Sequence, residues 1–123
     1  MASRIARLTR RSRRKATPEL LGLVAARFRA LAEPARLAIL HALEDGERTV
    51  SELIGDTGIA QGNLSKHLQQ LHASGLVARR KEGLFVYYAL ADADVLALCE
   101  IMCGRIEAEL AASHAVVARR RGA

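Results

Sequence analysis

The order of local patterns between residues 49 and 90 constrains this chain more than any other feature. Two short helical patterns, at about 50–56 and 61–73, are separated by a turn that contains Gly58. A capping box of Thr49 and Glu52 begins the first, and Gly75 ends the second. Alternating residues follow at 76–81 and 84–90, with Glu82-Gly83 as the candidate hairpin turn. This order predicts a winged helix-turn-helix.

Helices flank that unit on both sides. Pro18 opens a helix to about Ala32 with an apolar stripe, and Glu33-Pro34 begins a second helix. Asp92 can cap a long last helix that ends near Val117. The predicted fold is therefore mainly α with a β-hairpin wing. A chain of 123 residues forms one small domain, and such a domain often gains burial by forming a dimer.

The basic charge lies mostly at the two ends of the chain. Residues 1–16 hold seven basic groups and no acid, which predicts a flexible basic arm, and 119–123 form a basic tail with three arginines. The intervening domain, 17–118, retains nine basic groups against thirteen acidic ones, although the whole chain is +6. Basic clusters at Lys66 and at Arg79–Lys81 are therefore informative, because they lie on an acidic body.

Several classes of protein are disfavoured by what the sequence holds. No apolar run approaches the ~18 residues of a membrane span, and two cysteines four residues apart do not form a disulfide framework. The expectation is a cytoplasmic protein with no membrane partner. Nucleophile–base pairs, phosphate-binding loops and paired carboxylates at usable spacing are also missing, so an enzyme is not expected.

The helix at 61–73 has the composition that reading DNA requires. Its apolar back is formed by leucines, and short polar groups and a cation remain outside: Gln61, Asn63, Ser65, Lys66 and Gln69. Such groups suit base edges and phosphates in a major groove. Arg79, Arg80 and Lys81 on the hairpin suit the phosphate backbone or the minor groove. A solvated helix face and a charged sheet edge are the alternatives, but together the two features favour double-stranded DNA.

The chain also resembles a known family over roughly residues 20–90. The similar segments are E-P-A-R at the start of the second helix, L-S-K-H-L in the recognition helix, L-x-x-x-G-L-V after it and R-x-E-G-x-x-V-Y-Y in the wing. With these motifs the sequence resembles the ArsR/SmtB winged helix-turn-helix repressors. The resemblance implies a homodimer joined by its first and last helices, an inverted-repeat operator, and often release by a metal or by thiol chemistry.

The same resemblance places individual residues. It puts Gln61, Asn63, Ser65 and Lys66 where the family contacts bases and phosphates, and His67 at a packed position. Two departures weaken the start of this helix: Ala60 stands where the family usually has a capping serine, and glycine occupies position 62 in the first turn.

Two cysteines raise the question of an effector. The Cys-x-Cys of metalloid-binding relatives is absent near the third helix, but Cys99 and Cys103 share one face of the last helix. They could act as a thiol switch, bind a soft metal or metalloid ion with a third ligand (His114 of a partner helix is a weak candidate), or simply pack in the dimer seam. The alternatives at the level of function are an effector-independent regulator and a protein-interaction module.

Overall fold

A computed structural model describes residues 15–122. Within these residues, five helices and three short strands follow one another: α1 (Pro18–Leu31), α2 (Pro34–Ala42), β1 (Arg48–Thr49), α3 (Val50–Thr57), α4 (Gln61–Ala73), β2 (Val77–Glu82), β3 (Phe85–Leu90) and α5 (Asp94–Gly122). The basic arm predicted for 1–16 lies almost entirely outside the described residues.

The helix boundaries follow from local chemistry. Prolines occupy the first turns of α1 and α2, where a missing N–H leaves no hydrogen bond unmade. The capping box at α3 forms as expected: the Thr49 hydroxyl accepts from the backbone N–H of Glu52, and the Glu52 carboxylate accepts from the N–H of Thr49. Gly58 then ends α3 in the left-handed conformation.

The sheet differs from the sequence prediction in two ways. The hairpin turn is Gly83–Leu84 rather than Glu82-Gly83, because Glu82 pairs with Phe85 as the last rung of the ladder. Gly83 has a φ of +60°, as expected for a two-residue hairpin turn with glycine in its first central position. In addition, β1 pairs with β3 and makes the sheet three-stranded, in the order β1-β3-β2.

A single core joins α2, α3, α4 and the base of the hairpin. Its fully enclosed side chains are almost all leucines: Ile39, Leu40, Leu43, Leu53, Leu64, Leu68, Leu71 and Leu76. The last helix is an exception, because its buried side chains, Val95 and Leu96, both lie in its first turn, and of these Val95 belongs to the core. It also runs further than predicted, through Arg119–Arg121, so the arginines of the expected tail are helical.

Candidate nucleic-acid interface

Helix α4 presents a polar ridge to solvent. Leu64, Leu68 and Leu71 fix its back in the core. All five polar residues that the sequence singled out on this helix are exposed: Gln61, Asn63, Ser65, Lys66 and Gln69. The N-cap residue before it, Ala60, makes no side-chain capping hydrogen bond, as the sequence predicted. The buried leucines therefore fix α4 against the core, and its polar side chains remain accessible to solvent.

A connection that the sequence analysis missed joins α4 to α1. The Arg36 guanidinium donates to the backbone carbonyls of Ala30 (2.6 Å) and Arg29 (3.2 Å) and to the side-chain carbonyl of Gln70. A cation at these carbonyls also complements the dipole at the C-terminal end of α1. Arg36 thus ties the end of α1 to the recognition helix. The E-P-A-R motif marks this arginine in the sequence, but its partners become visible only in three dimensions.

His67 lies at a packed position between the exposed ridge and the core. Its ring is half-buried, and its Nδ1 is enclosed with no hydrogen-bond partner among the described residues. This placement agrees with the packed position that the family resemblance implies for His67.

Arg80 is engaged within the wing itself. Its guanidinium makes a two-pronged contact with the Glu47 carboxylate, at 2.6 and 2.9 Å, and a 2.5 Å contact with Glu82. It also lies 4.3 Å from the centre of the Tyr87 ring, on the paired strand. The two carboxylates, Glu47 first, raise the pKa of Arg80 above its ordinary value, and Arg80 in turn lowers the pKa of Glu47. This arginine fastens the hairpin to the loop before β1.

Arg79 and Lys81 differ from Arg80, because alternate residues of a strand point to opposite faces. Both are exposed. Neither they nor Lys66 of α4 has a carboxylate within 4.0 Å in the part of the chain from 15 to 122. The structure thus leaves one cation on the ridge and two on the wing available for an anionic partner.

Apolar side chains remain uncovered on α1 and α5. On α1 they include Leu21 and Phe28, which are 54% and 57% exposed, and on α5 Ile101 and Met102, at 60% and 61%. The two helices share a groove of about 250 Å³, which Val24, Phe28 and Leu98 help to line. Together these side chains, defined here as the α1/α5 face, form an apolar surface that one subunit alone leaves in water.

The two cysteines lie beside this face. Cys99 is half-buried and Cys103 is exposed. Burial, and then the neighbouring Cys103, raise the pKa of the Cys99 thiol. Within residues 15–122 no group of three or more His, Cys, Asp or Glu side chains is placed to hold a metal ion. None of the described helices is long and apolar enough to cross a membrane.

Comparison with known proteins identifies the family of this chain. Residues 33–79 match the family described as bacterial regulatory protein, arsR family. HlyU, a transcriptional activator of Vibrio cholerae, is 40% identical over 75 residues, which cover 61% of this chain and 69% of HlyU. The chain belongs to the arsR family. The resemblance predicted from the sequence motifs is therefore confirmed.

Two further relatives of this ArsR-family protein extend the comparison. An uncharacterised HTH-type transcriptional regulator of Mycobacterium tuberculosis is 39% identical over 75 residues, covering 60% of this chain and 66% of the relative. The match thus spans about two thirds of that relative's length. The solution structure of a homodimeric winged helix-turn-helix DNA-binding domain from Mycobacterium bovis aligns with a TM-score of 0.69 and 36% identity, covering 78% of this chain and 89% of that one. The predicted fold class is confirmed.

Proposed function

We propose that this ArsR-family protein is a transcriptional repressor that binds an inverted-repeat operator as a homodimer. The exposed ridge of α4 carries the proposal, since its polar groups stand on a helix held rigidly by three buried leucines. A two-fold assembly presents this ridge twice, to successive major grooves, and so occludes a promoter. Family membership supports both DNA binding and dimer formation, as the homodimeric relative from M. bovis illustrates.

The ridge residues divide into two roles. Gln61, Asn63 and Gln69 carry amides, which pair with adenine edges in the major groove. Ser65 and Lys66 suit guanine edges or phosphates. On the wing, Arg79 and Lys81 supply charge to the flanking backbone, whereas Arg80 holds the hairpin in position through Glu47 and Glu82.

The α1/α5 face is the proposed dimer interface. Helix α5 spans 29 residues, but beyond its first turn it buries little against its own subunit. A helix without such packing is only marginally stable in water. Covering it with the same face of a second copy removes both apolar surfaces from water at once. The assembly places the two α4 ridges on one molecule, as a palindromic operator requires.

Binding to a duplex selected by the full chain from a random-sequence library tests the proposal. Asn63→Ala and Lys66→Ala should weaken binding to the selected duplex by about ten-fold or more, and binding to unselected duplex much less. Glu100→Gln, an exposed substitution away from α4, serves as the control. Equal losses of affinity for the selected and the unselected duplex would contradict base-reading roles for Asn63 and Lys66. A wild-type protein with no salt-dependent sequence preference would instead indicate a protein-interaction module.

We further propose that Cys99 and Cys103 form the effector site. They lie beside the proposed interface, so a change at the thiols alters the packing of the dimer. The raised pKa of Cys99 means that a soft metal or metalloid ion must displace its proton on binding. One chain provides two thiols, and a second copy must provide any third ligand, with His114 as the candidate. Thiol oxidation or persulfidation requires no third ligand.

Release of the selected duplex by arsenite, zinc, peroxide and persulfide tests the effector site. Each compound is added to wild type, Cys99→Ser and Cys103→Ser. We expect one class of compound to release wild type and to fail on both variants. If the three proteins respond in the same way, or if none responds, the cysteines have only a packing role. The protein would then be a regulator that does not use these thiols to sense an effector.

A further inference from the structure

Helices α1 and α4 have different tasks in the proposed dimer, and few of their residues approach each other directly. An open groove of about 540 Å³ separates them, lined on α1 by Leu20 and on α4 by Ala73. Ala73 also lines a second groove, of about 290 Å³, together with Arg36 and Gln70. Because these grooves occupy the space between α1 and the C-terminal half of α4, the groups that cross it determine how the two helices are oriented.

Arg36 of α2 crosses this space. Its guanidinium donates to the carbonyls of Arg29 (3.2 Å) and Ala30 (2.6 Å) at the end of α1. It also donates to the side-chain carbonyl of Gln70 on α4. Among residues 15–122 no carboxylate lies within 4.0 Å of it, so its charge is directed to carbonyls of two other helices. A guanidinium presents its donors in a rigid plane, and it therefore fixes direction as well as distance.

A small rotation at this contact has a large effect on the ridge. Three buried leucines fix α4 to the core, so α4 and the core turn together relative to α1. Gln61, the first residue of the ridge, lies nine residues before Gln70, which is about 14 Å along the helix axis. A rotation of roughly 15° about the Arg36 contact therefore moves the start of the ridge by about 3.4 Å, the rise of one base pair.

We propose that Arg36 and Gln70 set the spacing between half-sites that the dimer accepts. The α1/α5 face joins the two subunits and α4 reads one half-site in each, so the angle between α1 and α4 fixes the distance between the two ridges. Arg36 is a positioning residue, since it acts through α1 and α4 rather than on a base. This inference rests on the proposed function, because it requires two α4 ridges that read two half-sites.

Variants of the selected duplex with one base pair inserted or removed between the half-sites test the inference. Wild type should bind the selected spacing about ten-fold or more tightly than either neighbour, because the altered spacings prevent simultaneous contact with both half-sites. Gln70→Met, which keeps the side-chain length but removes the acceptor, should reduce this preference to about three-fold or less. Arg36→Met should have the same effect. Gln70→Glu, whose carboxylate can accept from Arg36, should retain the wild-type preference.

A duplex with a single half-site separates positioning from folding. Gln70→Met should bind it within about two-fold of wild type, since Gln70 is exposed and lies outside the ridge. Arg48→Met is the matched control and should keep the spacing preference, because Arg48 pairs only with Glu52 and Asp56 of α3 among the described residues.

Three outcomes would contradict these proposals. An unchanged spacing preference in Gln70→Met would overturn the inference, and so would an equal loss of affinity for the single half-site and for the two-half-site duplex. A wild type that reads the single half-site but binds all three spacings equally would also overturn it, while leaving base reading by α4 intact. A wild type with no sequence preference for the single half-site would instead contradict the proposed function.

Discussion

Arg79, Arg80 and Lys81 look equivalent in the sequence, but the structure gives them different surroundings. Strand alternation separates Arg80 from its two neighbours, yet sequence alone does not show that Glu47, 33 residues earlier, reaches it. We therefore interpret Arg80 as a positioning residue of the wing. A guanidinium suits this role better than an ammonium, because its planar fork can meet a carboxylate with two hydrogen bonds at once.

Charge-conserving substitutions test this interpretation. Arg80→Lys should weaken binding to the selected duplex several-fold, because lysine keeps the charge but loses the two-pronged contact with Glu47. The matched change Arg79→Lys should have little effect, since a phosphate contact needs only the charge. Affinity and its salt dependence, measured by fluorescence anisotropy, provide the readout. If Arg80→Lys binds as wild type and Arg80→Ala lowers the salt slope by ~0.9, Arg80 contacts phosphate directly.

At the scale of elements, the helices were largely predictable and the sheet was not. Capping residues, prolines and glycines act locally, so the limits of α1, α3 and α4 agree with the sequence prediction to within about a residue. The pairing of β1 with β3 joins residues about 40 positions apart and has no local signal. The turn was placed one residue early because Glu82 carries a turn-like charge but pairs as a strand residue, with its charge satisfied by Arg80.

The capping box of α3 makes a prediction about pH. Hydrogen bonds from the backbone and hydroxyl of Thr49, followed by Arg48, lower the pKa of Glu52 below its ordinary value of 4.5. A carboxyl whose pKa is lower in the folded state stabilises the protein above its unfolded pKa, and this contribution is lost as pH falls through the folded pKa. Glu52→Gln should therefore lower the melting temperature at neutral pH, and its difference from wild type should shrink below about pH 4.5.

Thermal unfolding of three proteins checks this prediction. Thr49→Ala should destabilise by about 1 kcal/mol, because the first turn of α3 loses its cap, and it should do so even at low pH, where Glu52 is protonated. Glu47→Gln is the control. The pKa of Glu47 is also lowered, but its partner is Arg80 and not Thr49, so this variant leaves the capping box of α3 intact. A melting difference between Glu52→Gln and wild type that is independent of pH would show that Glu52 acts by packing rather than by charge.

At the scale of the whole molecule, the subunit has two halves. The half with α2, α3, α4 and the hairpin contains the core, whereas α1 and α5 leave apolar side chains exposed to solvent. Periodicity predicted an apolar stripe on α1 but could not show that most of this stripe stays outside the subunit core. Arg36 links the two halves, because it joins the end of α1 to Gln70 of α4. Arg36 thus connects the C-terminal end of α1, one of the two helices of the α1/α5 face, to the recognition helix.

A charge introduced into the α1/α5 face should separate the dimer into monomers. Phe28→Glu and Met102→Glu each alter a side chain that is more than half exposed in one subunit, so the fold of the subunit should survive. In a dimer the same carboxylate would be buried without a partner, which is strongly unfavourable. Sedimentation should therefore show a monomer for both variants and a dimer for wild type. Because a monomer contacts only one half-site, binding to the selected duplex should also fall far below wild type.

Leu84→Ser provides the control. It removes an exposed apolar side chain from the hairpin turn, outside the α1/α5 face, and should remain a dimer. Circular dichroism of Phe28→Glu and Met102→Glu should show only a small loss of total helix content, because α5 depends on a partner for its packing and the other helices do not. Dimers that persist in both glutamate variants would mean that another surface joins the subunits. The apolar side chains of α1 and α5 would then need a different covering partner, and the spacing of the two α4 ridges would no longer follow from this face.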